Sequence, residues 1–563
     1  MKARLPAFEA ALEAKPEAQR GRPSRLGYPS PEQRGRYGFD ERVAWLLRIN
    51  RLLGADEDFA TATRFAAALR SAGGSGPASP AQISRWETGT ARVDYRIVRR
   101  YEQLLGLPDN GLVAMVDLAG RRRGGGSGPH TLDRHLDPDD PAFHRRSGQL
   151  LERALAGGPM DGAAWDDLTA HFAVLPGVYL HPPRAWEELS HRLLSEMIVA
   201  DGLAWAQRDA ALGRLLRHPS SGAPTIAACA AFTADPAHQV FAEPLSDLHL
   251  SDHPDAARLV LAQLGNPSSN RSLYGALVAA IRRVDRHRLA PDDLTTLLSA
   301  VRDVVVDPRV PDEVRHLVPV LLRRLPATAS GRTVGELRRV ATADAVGRLV
   351  LGSGRTEASA AAGVVVARVA ASALRRLQRE LPGSDTVLPE LLDELLFSPD
   401  PGERLHAGFL IAATPYRDTV AAALTDELSA ALRGDGTHAV ALLTALGALG
   451  GRTDRDILEH LVLVPAVPPA VNEAAARAIG LVPGRTVAGF WAAALRHHLG
   501  VWQRTGSATS LTTLRRLVQA LGAAEELDLL TAVGWDADMP PALRAAAQWW
   551  LALPENIRVS AAS

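Results

Sequence analysis

From about Ser147 to Pro554 apolar residues recur three and four positions apart, strand-like alternation is scarce, and Pro or Gly interrupts the pattern every 12 to 20 residues. A helix of that length shelters one stripe of its surface, so a succession of them must pack side by side. The chain is therefore expected to be all-α. Its 563 residues are enough for several domains and a sizeable core. The most apolar tract, SAAAGVVVARVAASAL, is interrupted by Arg368 and too short to span a bilayer, and MKARLPAFEAALEAKPEAQRGRP lacks the apolar run of a signal peptide. No membrane partner is expected. One cysteine, Cys229, excludes an intramolecular disulfide and a cysteine-rich zinc site, and a cytoplasmic setting follows most simply.

Several segments of this region share a Pro or Asp start, an Arg or acidic residue in the first turn, and then a stripe of small residues and leucine. HPDAARLVLAQLG begins at His253, PDEVRHLVPVLLRRL at Pro311, PGERLHAGFLIAATP at Pro401, PAVNEAAARAIGLVPG at Pro469 and PPALRAAAQWWLALP at Pro540. They resemble the helices of HEAT-type repeats, in which each helix pair buries its apolar face only against its neighbours. Their irregular spacing fits an irregular helical bundle nearly as well. A solenoid of this kind offers a long concave face to a protein partner, and Trp549 and Trp550 are expected to seal the last layer of the core or cap the array.

Ahead of this array stands a stretch of different design, SPAQISRWETG, from Ser79 to Gly89. The Ser79 hydroxyl suits an N-cap, Pro80 suits the first helical position, and Gln82 falls where a capping box closes. Ile83 and Trp86 lie three apart and share an inward face, while Gln82 and Arg85 share another that points outward. Downstream, Asp94 is placed to cap a helix carrying Ile97, Tyr101, Leu104 and Leu105, with Gly106 and Pro108 as its stop. Upstream, Val43, Leu46, Leu47 and Leu53 mark one helix, and Phe65, Ala66 and Leu69 a second. A fifth is expected through Leu112, Val116 and Ala119, starting near Asp109.

This order of helices resembles the Cro and phage-repressor type of helix-turn-helix domain, the XRE family, over about residues 38–118. Family members carry Ile-Ser-x-Trp-Glu-x-Gly in the third helix, matched by Ile83, Ser84, Trp86, Glu87 and Gly89, followed by a helix ending in a Leu-Gly pair, matched by Leu105 and Gly106. The chain departs from the family in two places. RSAGGSGPA stands between Leu69 and Ser79, where the family makes a tight turn. Ala62 stands where the family often has a phosphate-binding Gln, leaving Thr61 or Arg64 to substitute.

The resemblance implies a bacterial transcriptional regulator whose third helix enters the major groove of double-stranded DNA. The DNA-binding residues it points to are Ser79, Ala81, Gln82, Ser84 and Arg85 on that helix, with Gln82 suited to adenine and Arg85 to guanine or phosphate. Thr88 and Arg92 beside the following turn are candidates for backbone contacts. The same residues have quieter readings: Gln82 as the other half of the capping box, Arg85 on phosphate alone, Glu87 in an internal ion pair, and Ile83 with Trp86 as core.

Charge fits a polyanionic partner at this end of the chain. Met1 to Gly125 holds 21 Lys plus Arg against 14 Asp plus Glu, while the rest holds 42 against 49, and Lys occurs only at positions 2 and 15. Residues 1–37 set Arg20, Arg22, Arg25, Arg34 and Arg36 among Gly, Pro and Ser. They read as a disordered basic arm that tracks phosphate, or as a solvated tail. Residues 120–146, opening RRRGGGSGP, read as a flexible linker across which the two parts of the chain move.

Catalytic and metal chemistry find no constellation. GGSGPAS near Gly73 and LGSGRTEAS near Leu351 lack the Lys-Ser/Thr ending of a phosphate loop. His249 and His253 have metal-ligand spacing, but Ser251, Asp252 and Pro254 make a loop and helix cap the better reading. His497 and His498 are adjacent and face different ways on a helix, and Cys229 sits in the apolar run IAACAAF. The expectation is a sequence-specific DNA-binding regulator: residues 38–119 form the helix-turn-helix domain, and residues 147–556 a helical array for oligomerisation or partner or ligand sensing. It works as a homodimer, with no enzyme activity, cofactor or metal. The alternative is a helical-repeat interaction scaffold to which the helix-turn-helix is only an adapter.

Overall fold

The computed structural model describes residues 36–71, 79–123, 132–238, 241–307, 309–325, 332–341, 357–377, 381, 384–433 and 438–561. Every regular element among them is a helix, and none is long and apolar enough to cross a membrane. Five helices come first: α1 Phe39–Leu53, α2 Ala62–Ser71, α3 Pro80–Trp86, α4 Tyr95–Leu105 and α5 Gly111–Arg123. Local chemistry sets their ends. The Asp94 carboxylate accepts from the Ile97 N–H at 2.8 Å and caps α4, and Gly106 closes it at φ +63°, a left-handed conformation that favours glycine.

Two of these helices are enclosed on every side. In α1 all residues from Arg42 to Leu52 are buried, and in α5 all from Gly111 to Arg121. A lone small domain has too little substance to cover them. The rest comes from far along the chain: Arg42 reaches Glu390 and Glu394 of the helix Val387–Phe397, and the Asn50 amide donates to the Ala413 carbonyl at 2.9 Å. Trp45 stacks on Tyr416 at 6.2 Å, and its indole N–H and the Tyr416 hydroxyl both bind Asp385. α5 packs on the helices Gly202–Arg217 and Pro401–Ala412. One apolar core accordingly runs from Tyr37 through this domain into residues 365–553, and a second gathers residues 150–341.

The 120–146 segment differs from the expected linker. α5 runs on to Arg123, and Arg121 donates to Asp209 at 2.7 Å in a buried pair. Residues 124–131 lie outside the described residues. Beyond them the Leu132 N–H and Arg134 both bind Asp117, Arg134 also reaches Asp166, and a new helix starts at Pro141 under an Asp140 cap. The composition reads as a tether because Arg121 looks solvated in sequence; its partner stands 88 positions away. A shared core and buried ion pairs replace the expected hinge.

All five repeat-like segments begin helices at the anticipated points: Pro254–Gly265 capped by His253, Asp312–Arg315 after Pro311, Pro401–Ala412, Pro469–Ile479, and Pro541–Ala552 after Pro540. The second breaks at His316 and resumes at Leu317, with Pro319 lacking the N–H a continuous helix would use. The ends of the array meet. Trp549 sets its ring 4.9 Å from His238, Asn556 binds the Gly157 carbonyl, and Gln519 donates to the Ile198 carbonyl at 3.4 Å. Trp550 fills the last layer against Gly522, where any side chain would collide with the indole. The long concave face expected of an open solenoid is thus closed across its ends.

Candidate nucleic-acid interface

α3 has seven residues, too few to stand alone in water, so its position comes from its neighbours. Ser79 starts it, the hydroxyl accepting from the Gln82 N–H at 3.1 Å, and Pro80 occupies the first turn. Ile83 is completely buried with Phe65, Leu69, Val98 and Tyr101, and Trp86 packs at the edge of the same core. Gly89 ends the segment at φ +69°, with the Asp40 carbonyl 3.3 Å from where a Cβ would stand. Both the conformation and the close approach require glycine there.

A buried ion pair holds α3 from behind. Arg51 of α1 binds Glu87 through two N–H groups at 2.6 and 2.7 Å, and donates to the Phe59 and Ala60 carbonyls at 2.8 and 2.7 Å. The Tyr101 hydroxyl donates to Glu87 at 3.0 Å. Burial opposes charge on Arg51, but Glu87 outweighs it and holds the guanidinium above its ordinary range. One arginine therefore joins α1, the turn Glu57–Ala60 and the end of α3. Glu87 has the internal role weighed for it. Arg51 carries no sequence signal of this role: it lies on α1 beside the leucines, and its partner Glu87 stands 36 residues away.

Apart from the Ser79 hydroxyl, which caps the helix, the outward side chains of α3 are free of internal partners among the described residues. Ser79, Ala81, Ser84 and Arg85 are exposed, and Gln82 is half-buried. The capping box does not close: the Gln82 amide, like the side chains of Ser84, Arg85 and Arg92, makes no hydrogen bond or ion pair among the described residues. Arg92 is exposed, as is Arg96 in the first turn of α4, which the sequence reading did not single out. Thr88 is half-buried and locally engaged, its hydroxyl donating to the Ser84 carbonyl at 2.7 Å. Thr61 and Arg64 are exposed but locally engaged, Thr61 donating to the Asp58 carbonyl at 3.1 Å and Arg64 pairing with the Asp58 carboxylate.

Arg36 is a correction. Expected on phosphate, it pairs with Glu403 at 2.8 Å and Glu394 at 3.2 Å, and the carboxylates outweigh burial to hold it above its ordinary range. Its charge belongs to the joint with the helix Val387–Phe397. The rest of the basic arm, residues 1–35, and the glycine-rich insertion at 72–78 lie outside the described residues.

The other candidate groups have structural places. His253 accepts from the Asp255 N–H at 3.2 Å as a helix cap, and His249 Nδ1 lies 2.7 Å from the Ser246 carbonyl. His498 Nε2 lies 2.8 Å from the Val462 carbonyl. Cys229 is fully buried, and burial pushes its thiol pKa well up, away from a reactive thiolate. No group of three or more His, Cys, Asp or Glu side chains is placed to hold a metal among the described residues. No family model, curated protein or solved structure matches the chain.

Proposed function

We propose that the protein is a sequence-specific DNA-binding transcriptional regulator, with α3 laid in the major groove and the helical array serving oligomerisation or partner or ligand sensing. One observation carries this reading: α3 is fixed from behind by Ile83 and the Arg51–Glu87 pair while Gln82, Ser84 and Arg85 present polar groups with no internal partner. Arginine suits guanine or phosphate, and a glutamine amide suits adenine. Exposed Arg92 and Arg96 add cations for the backbone. One such helix spans only a few base pairs, so two copies on paired half-sites are the working form, as a homodimer.

The test is capture of genomic fragments by the purified full chain, followed by titration of the enriched fragment at rising salt with wild type and Arg85→Ala. A common short motif, a steep fall of affinity with salt, and loss of motif preference in the variant are the expected results. Random capture with an indifferent variant would instead favour a helical interaction scaffold.

A further inference from the structure

A cavity of about 830 Å³ opens where the two apolar cores face one another. Leu112 and Met115 of α5 line one side, and Trp205 stacked on Phe409 at 5.5 Å lines another. The helix Asn270–Asp285 contributes Arg271, Tyr274, Val278 and Arg282, which recur at three and four and so stand in one row along the wall. The size and the apolar walls with a few polar groups are those of a small-molecule site.

The charges lining it select the molecule. Arg271, Arg282, Arg404, Arg417 and Arg477 stand against Asp201, Glu243 and Asp247, an excess of cations. Several are already engaged: Arg404 by the Ser398 carbonyl, Arg417 by those of Leu449 and Gly450, and Glu243 by the Ala242 N–H. Arg271 lies over the Tyr274 ring at 4.4 Å and 3.8 Å from Glu313. Arg282 differs. Its Nη1 is buried with no hydrogen-bond partner, and the side chain makes no ion pair among the described residues, Asp285 acting on it only at longer range. Its positive charge is thus left without a carboxylate partner, and a carboxylate or phosphate in the cavity would supply the counter-charge to the part of the side chain that lines it.

We propose that this cavity binds one organic anion, its carboxylate or phosphate on Arg282 and its apolar body along Val278 and Tyr274 toward Met115, Trp205 and Phe409. Because α5 forms part of the wall, the bound molecule touches the helix-turn-helix domain and the array at once. The site rests on the cavity's geometry and not on DNA binding, so each can fail without the other.

The experiment titrates the full chain with 8-anilinonaphthalene-1-sulfonate, following its fluorescence, beside the neutral N-phenyl-1-naphthylamine. Saturation at one anion per chain is expected, with the neutral probe at least tenfold weaker. Arg282→Gln should raise Kd at least tenfold, while Arg309→Gln, an exposed arginine outside the cavity lining, should stay within twofold. Leu481→Trp, at a half-exposed lining position, should also weaken binding, and it replaces Arg282→Gln if that variant fails to fold. Dodecanoate and dodecyl phosphate as competitors then tell a carboxylate preference from a phosphate one. Non-saturable binding, an equally tight neutral probe, or wild-type affinity in the folded lining variants would overturn the proposal.

Discussion

α1 and α3 belong to one small domain and have opposite surroundings. α1 keeps its cations from solvent: Arg42 is paired with Glu394 and Glu390, and Arg51 with Glu87, all within protein. α3, half its length, buries Ile83 and leaves Ser79, Ala81, Ser84 and Arg85 outside. The longer helix anchors the domain on the array, and the shorter one is carried by that anchor. A surface helix in water owes its place to tertiary packing more than to propensity. Here that packing is Ile83, the half-buried Trp86 and one buried glutamate.

The largest effect should come from breaking the anchor. Arg42→Ala leaves the wholly buried Glu394 with only the part-exposed Arg36 and the largely buried Glu390 without its guanidinium, a loss of about 3–5 kcal/mol in chemical denaturation. Arg42→Met combined with Glu394→Leu should recover most of it, since a well-packed apolar pair commonly replaces a buried ion pair. Single-variant stability within about 1 kcal/mol of wild type would mean that α1 is not seated as described.

Next comes the link between the two helices. Glu87→Ala strands Arg51 and should cost about 3 kcal/mol, felt locally. Hydrogen exchange should quicken at residues 80–91 and stay unchanged at 387–397; equal quickening at both would erase the distinction between anchor and carried helix. Ser79→Ala removes the cap on the Gln82 N–H, worth about 1 kcal/mol, and exchange at that amide should rise without a shift in α1. The smallest change in stability belongs to Arg85→Ala, expected within about 0.5 kcal/mol of wild type because the side chain is exposed and unpaired. A marked destabilisation would show that Arg85 supports the fold, which would undercut its assignment as a reading residue.

Much of the fold was legible in the residues. Helical spacing identified an all-α chain, and Pro or Asp starts located helices at Pro254, Pro401, Pro469 and Pro541. Ser79, Asp94 and Gly106 announced their caps, because capping is a contest between neighbours in sequence. Ile83 could be assigned to the core from its spacing to Trp86 alone. The apolar run Val43 to Leu47 also carried a signal that the reading of one stripe missed: five consecutive apolar residues cover every face of a helix, which only an enclosed helix can use. Gln82 went the other way, since a capping box needs a rotamer as well as a spacing.

What the sequence determined by itself is therefore what acts over a turn or two of helix: periodicity, caps, stops, and the exposed polar side of SPAQISRWETG. What only the tertiary structure decided is which charges face one another. Arg36, Arg42 and Arg121 look alike in sequence, as cations among polar or helical residues, yet each lies against carboxylates 88 to 367 positions away. The same packing joins the domain to the array, brings Trp549 onto His238 and leaves Arg282 without an acceptor in the cavity wall. The reason is physical: local hydrogen bonds and side-chain spacing follow the chain, whereas burial and electrostatic pairing depend on distances that the chain sets only after it has folded.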